Sequence, residues 1–137
     1  MELYQYLTCG GNEMITLNEY FDYENTYKLN TKEVYKLLDI ETILEAEIML
    51  NEEGLSSDNI YFKLLSQVQY FEKEFEENKE VISYMYYIIG YYVGLFFHPM
   101  TGDEIAINYL NKAISIEENE EKIEKYKETI DMINELL

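Results

Sequence analysis

Between Val81 and Gly102 the chain runs for 22 residues without an Asp, Glu, Lys or Arg, inside a protein of formal net charge −18. A stretch of that length and character must be removed from water by something. It is long enough to cross a bilayer. However, it contains Tyr84, Tyr86, Tyr87, Tyr91 and Tyr92, closes on His98 and Pro99, and has acids beyond both ends. Those features point to a helix that is apolar all round and buried by the rest of the chain, with no membrane partner.

The charge lies outside this segment. All ten basic residues are lysine, set against 28 acids, and the acids are spread along the chain: residues 103–137 alone hold ten acids and four lysines. Such a field repels nucleic acid and anionic lipid and speeds encounter with cationic proteins. Hydrophobic residues make up 47% of the 137, enough for a packed core and too many for an acidic disordered tail. Cys9 is the only cysteine, so no internal disulfide forms. The start, MELYQYLTCGG, lacks the basic and apolar regions of a secretory signal. A cytoplasmic protein is expected.

Apolar residues recur at three and four, which predicts an all-α fold of about six stacked antiparallel helices in one domain, 1–137. Residues 1–29 hold at most a short helix near Met14–Tyr23, and the helical stack occupies 31–137. Asn30 and Glu33 have the spacing of a reciprocal cap for a helix from Thr31 to about Glu53, with a break near Asp39. Gly54 is its expected stop. Ser57 or Asp58 caps a helix to about Glu77. The uncharged helix runs from Lys79 to His98, because Pro99 disfavours helix in the residue before it. Thr101 and Glu104 form a capping-box pattern for a helix to about Glu117, and a last helix covers Glu120–Leu136.

Tyr70-Phe71-Glu72-Lys73 recurs 39 residues later as Tyr109-Leu110-Asn111-Lys112, an offset of the kind seen in stacked helical hairpins. Gly94, Phe97, Ala106, Leu110 and Ala113 have the spacing of small and large residues that lets two helix backbones close on each other. On these residues, within about 87–137, the chain resembles the tetratricopeptide-repeat family. Gly90 stands where that family has a large aromatic, and Glu118 where it has proline. The resemblance implies a concave face lined by Ile88, Tyr91, Leu95 and His98 that binds peptide or protein. The lysines, arginine and asparagine with which one subgroup clamps a terminal carboxylate are replaced here by such residues as Tyr91 and Leu95.

No nucleophile motif, glycine-rich phosphate loop, calcium loop or Glu-x-x-His pair is present, so no catalytic residue, metal or cofactor is expected. The carboxylates carry more information. Glu72, Glu76 and Glu80 recur at four, as do Glu120, Glu124 and Glu128, with Glu117 and Glu121 adding a pair. On a helix that places negative charge every ~6 Å, a spacing similar to a nucleic-acid backbone. Like charges at this spacing cost a few tenths of a kcal/mol per pair. The expected partner is a basic protein bound through these glutamates and through Tyr91, Leu95 and His98. The expected function is that of an immunity- or antitoxin-type inhibitor that occludes a basic toxin, most simply a nuclease. A phage-encoded inhibitor of a host defence nuclease has the same features. A peptide-binding adaptor or secretion chaperone is the alternative.

Overall fold

The structure is a computed structural model that describes residues 7–9, 13–15, 17–22, 25–52 and 57–136. Its architecture is all-α. The helices are α1 (Leu17–Tyr20), α2 (Thr31–Leu37), α3 (Ile40–Glu52), α4 (Ser57–Glu72), α5 (Phe75–Tyr92), α6 (Gly102–Ile116) and α7 (Glu120–Glu135). A small antiparallel hairpin precedes them, β1 (Leu7–Cys9) on β2 (Glu13–Ile15), with Leu7 opposite Ile15. Strands of three residues are too short to show an alternating pattern, so the sequence suggested only a helix there, of which α1 is the remnant. Gly10, Gly11 and the expected stop at Gly54 lie outside the described residues.

The chain forms two compact units, Met1–Gln67 and Val68–Leu137, and the division falls inside α4.

In the N-terminal unit, the Asn30–Glu33 cap forms as its spacing predicts. The Asn30 side chain accepts from the Glu33 N–H at 2.9 Å, and the Glu33 carboxylate accepts from the Asn30 N–H at 2.9 Å. The expected break is also present: α2 ends at Leu37, and Asp39 accepts from the Thr42 N–H at 2.7 Å to start α3. Residues 25–29 are irregular, and α4 supplies their missing partners. Gln67, fully buried, accepts from Tyr20 Oη at 2.7 Å and from the Leu29 N–H at 2.9 Å, and donates to the Leu29 carbonyl at 2.9 Å. Lys63 donates to the carbonyls of Asn25 and Tyr27. Where a non-helical segment enters the core, as at buried Leu29, its backbone groups need such side chains in place of a ladder. Tyr20, Leu29, Val34, Leu37, Ile43, Ile60 and Leu64 close the core around them.

In the C-terminal unit, α4 ends at Glu72, not near Glu77, and α5 starts at Phe75, not Lys79. The expected boundary survives as a kink. Asn78 has non-helical φ −118° and ψ 15°, and its side chain donates to the Phe71 carbonyl at 3.1 Å, satisfying the end of α4. Along α5, Val81, Ile82, Met85, Tyr87, Ile88, Ile89 and Tyr92 are buried. The helix Phe75–Phe97 is long and apolar enough to cross a membrane, yet about 67% of its apolar window is covered by the chain itself.

The small residues do what their spacing suggested. A Cβ on Gly90 would stand 2.7 Å from Leu110 Cγ and 3.0 Å from the Ala106 carbonyl oxygen, and one on Gly94 would stand 2.9 Å from Ala106 Cβ. The α5 and α6 backbones therefore meet closely. Ser83, fully buried, donates across the same contact to the Ala113 carbonyl at 2.8 Å. Tyr87 stacks on Tyr126 of α7, with centroids 4.6 Å apart.

The helix beyond Tyr92 widens into one π-helical turn, Val93–Phe97, and stops at His98 with left-handed φ 48°. The Thr101–Glu104 capping box does not form. Thr101 is itself left-handed, at φ 57°, and its hydroxyl donates to the Met100 carbonyl, which turns it away from the first turn of α6. The turn is closed instead by the Gly102 N–H on the Pro99 carbonyl at 2.8 Å. Asn119 caps α7 through the Lys122 N–H.

Candidate functional site: an acidic end of the C-terminal unit

Several of the sequence-predicted glutamates converge at one end of the C-terminal unit. The first turns of α5 bring Glu76 and Glu80, the α6–α7 turn brings Glu117 and Glu118, and α7 opens with Glu120 and Glu121. Lys122 joins them: its Nζ lies 3.6 Å from Glu80 and 3.8 Å from Glu117. Lys79 pairs with Glu76 at 2.9 Å. Three of these carboxylates, Glu76, Glu80 and Glu117, are paired with the two ammonium groups, and the acids outnumber the lysines at this end. Between the two elements lies a cavity of about 300 Å³ lined by Lys79, Glu80, Ile116, Glu117, Glu118 and Asn119. Glu80 is 76% exposed, whereas the Glu117 side chain is 5% exposed, so one carboxylate is presented and the other held.

Helix ends explain part of this arrangement. Glu76 and Glu77 lie in the first turn of α5, and Glu120 and Glu121 in that of α7. An acid at such a position gains about 0.3–1 kcal/mol from the helix dipole. That gain offsets part of the repulsion between like charges four apart for the N-terminal members of the rows. The ion pairs to Lys122 are long and partly exposed, worth at most about 1 kcal/mol each.

The remaining predicted residues are placed elsewhere. Glu72 does not continue the row of Glu76 and Glu80, because it ends α4 and accepts a hydrogen bond from Tyr86 Oη. Burial and that bond push the Tyr86 phenol pKa well above its ordinary value. Glu124 and Glu128 continue along exposed α7, Glu124 3.8 Å from Lys127. Tyr91 lies eleven residues beyond Glu80, about 16 Å along α5, so the aromatic and acidic residues do not form one site. Tyr91 and Leu95 are half-buried and His98 is exposed. Ile88 is fully buried and cannot line an open groove. Tyr91 packs its ring on Tyr87 and Phe96. Burial and Tyr91 raise the Tyr87 phenol pKa to about 12.

Sequence reasoning missed Lys122 as the bridge and Asn119 as the cap at this end. Asn119 was findable, since Asn before a Glu-rich helix start is a cap signal. Lys122 was not, because its partner Glu80 lies on another helix. Among the described residues, no group of three His, Cys, Asp or Glu is placed to hold a metal ion. No protein-family profile, curated protein or solved structure matches the chain.

Proposed function

We propose that the acidic end of the C-terminal unit binds a basic protein and covers its active surface, as an inhibitor of the immunity or antitoxin class acting on a basic toxin such as a nuclease. The observation that carries this reading is the convergence on Lys122 of Glu80 from α5 and Glu117 from the α6–α7 turn. It merges two separate acidic stretches into one surface. The exposed row Glu120, Glu124 and Glu128 extends that surface along α7. Charge at this density steers association, and complementary contacts then hold the complex. A phage-encoded inhibitor of a host nuclease would work by the same mechanism. The closely packed α5–α6 hairpin supports a tetratricopeptide-like arrangement of the scaffold. The adaptor reading is weaker, because Ile88 is buried.

The test is capture of partners from the native cell at low salt, followed by association kinetics with the purified partner. A single basic partner is expected, with an on-rate that falls as ionic strength rises. Reversing Glu80, Glu120 and Glu124 to Lys should slow association at least tenfold, while Tyr91→Ala leaves it unchanged. Binding that survives high salt and is lost in Tyr91→Ala would refute the inhibitor reading in favour of an adaptor.

A further inference from the structure

We propose that the cavity lined by Phe21, Asp22, Asn25, Thr26 and Lys28 on one side and α4 on the other binds a small organic carboxylate with an apolar body. The cavity measures about 240 Å³, room for about eight waters. Its walls combine two kinds of group. Phe21 and Phe62 are apolar, while Lys28 and Lys63 bring ammonium groups, and Asn59 and Ser66 offer polar edges.

Lys63 is the centre of the argument. The residue is 91% buried, and its Nζ donates to the Asn25 carbonyl at 2.8 Å and the Tyr27 carbonyl at 3.0 Å. It also lies 4.6 Å from the centre of the Tyr20 ring. These contacts solvate the ammonium without neutralising it. Among the described residues, no carboxylate lies within ion-pair distance of it, although the chain holds 28 acids. Buried charges are normally paired. Lys28 makes the imbalance worse: burial and repulsion from Lys28 lower the Lys63 pKa to about 8. Among the described residues of the cavity wall, Asp22 is the one acid beside two lysines, which leaves one net positive charge on that part of the lining. The sign is opposite to that of the whole protein.

Phe62 is the independent observation. Its ring is 63% exposed on the cavity wall. An apolar body lying against it would leave water while a carboxylate meets the two ammonium groups. A bare phosphate would use only the charge, and a neutral aromatic only the ring.

The experiment is an NMR titration of the full chain at pH 7 with benzoate, with benzyl alcohol and inorganic phosphate as comparisons. Saturable shifts are expected with benzoate, confined to residues 21–28 and 59–66 and at least about tenfold tighter than with either comparison, the worth of one charge-assisted contact. Lys28→Gln and Phe62→Ala should each weaken benzoate several-fold. Both residues avoid the Lys63 tether, whereas Lys63→Gln also unties two carbonyls. At saturation the Lys63 pKa should rise from about 8, and affinity should fall as the solution is taken above that pH. Burial and Lys28 set this value; the Tyr20 ring faces Lys63, and Asp22 lines the same cavity. Absence of saturable benzoate shifts, equal binding of benzyl alcohol or phosphate, or unchanged affinity in both Lys28→Gln and Phe62→Ala would overturn the proposal.

Discussion

Gly90→Ala separates intrinsic helix preference from tertiary packing, because the two predict opposite signs. On an isolated helix the substitution stabilises by about 1 kcal/mol. In this structure the new Cβ would stand 2.7 Å from Leu110 Cγ and 3.0 Å from the Ala106 carbonyl oxygen. Leu110 is fully buried, and its Cγ is not a free side-chain end. The Ala106 oxygen belongs to helix backbone. Neither can yield without moving α6, and overpacking of this kind costs about 1–3 kcal/mol. The net expectation is destabilisation by about 1 kcal/mol, once the propensity gain is subtracted. Urea unfolding followed by circular dichroism measures it as a lower midpoint at unchanged slope. A double-mutant cycle with Leu110→Ala adds a stricter test. Removing the leucine side chain opens the space, so Gly90→Ala should cost less in that background by about 0.5 kcal/mol or more. If Gly90→Ala raises the midpoint as helix propensity alone requires, the close α5–α6 approach is wrong.

Other expectations follow from buried polar groups. Gln67→Leu leaves both backbone groups of Leu29 and the Tyr20 hydroxyl without their buried partner. A loss of about 3 kcal/mol or more is expected, with early loss of hydrogen-exchange protection at the Leu29 amide; retained protection would refute the tether. Stability should also depend on alkaline pH in two opposed limbs. Lys63 binds its proton less tightly when folded, near 8 against an ordinary 10.5, so stability rises with pH between those values. Tyr87 holds its proton to about 12 against an ordinary 10, and Tyr20 and Tyr86 shift the same way, so stability present below pH 10 is lost as pH rises through 12. Urea midpoints across pH 7 to 12 check both limbs, and Lys63→Gln should remove only the rising one.

The features legible in the sequence share a physical property: they are local or compositional. The Asn30–Glu33 cap forms because its partners are three residues apart on one turn, so spacing alone brings them together. The uncharged segment had to be covered, and it is the buried helix of the C-terminal unit. Gly90, Gly94 and Ala106 announced a close contact because small residues there have no other use. Where local backbone geometry competes, spacing fails. Thr101 and Glu104 have the capping pattern, but the turn set by Pro99 puts Thr101 at φ 57° and points its hydroxyl elsewhere. Polar partners on different helices, with no small-residue spacing to mark them, were out of reach. Glu72 looked like the start of an acidic row, and the structure gives it to Tyr86, fourteen residues on. The meeting of Glu80 and Glu117 at Lys122, and of Lys63 with the backbone of residues 25–27, depends on how helices and turns close in space. Charge and amphipathic pattern marked the uncharged segment for burial, but not the burial of Lys63 and Gln67 or the exposure of Phe62. Packing alone decided which charges meet, because a lysine four carbons long reaches whatever the neighbouring element presents.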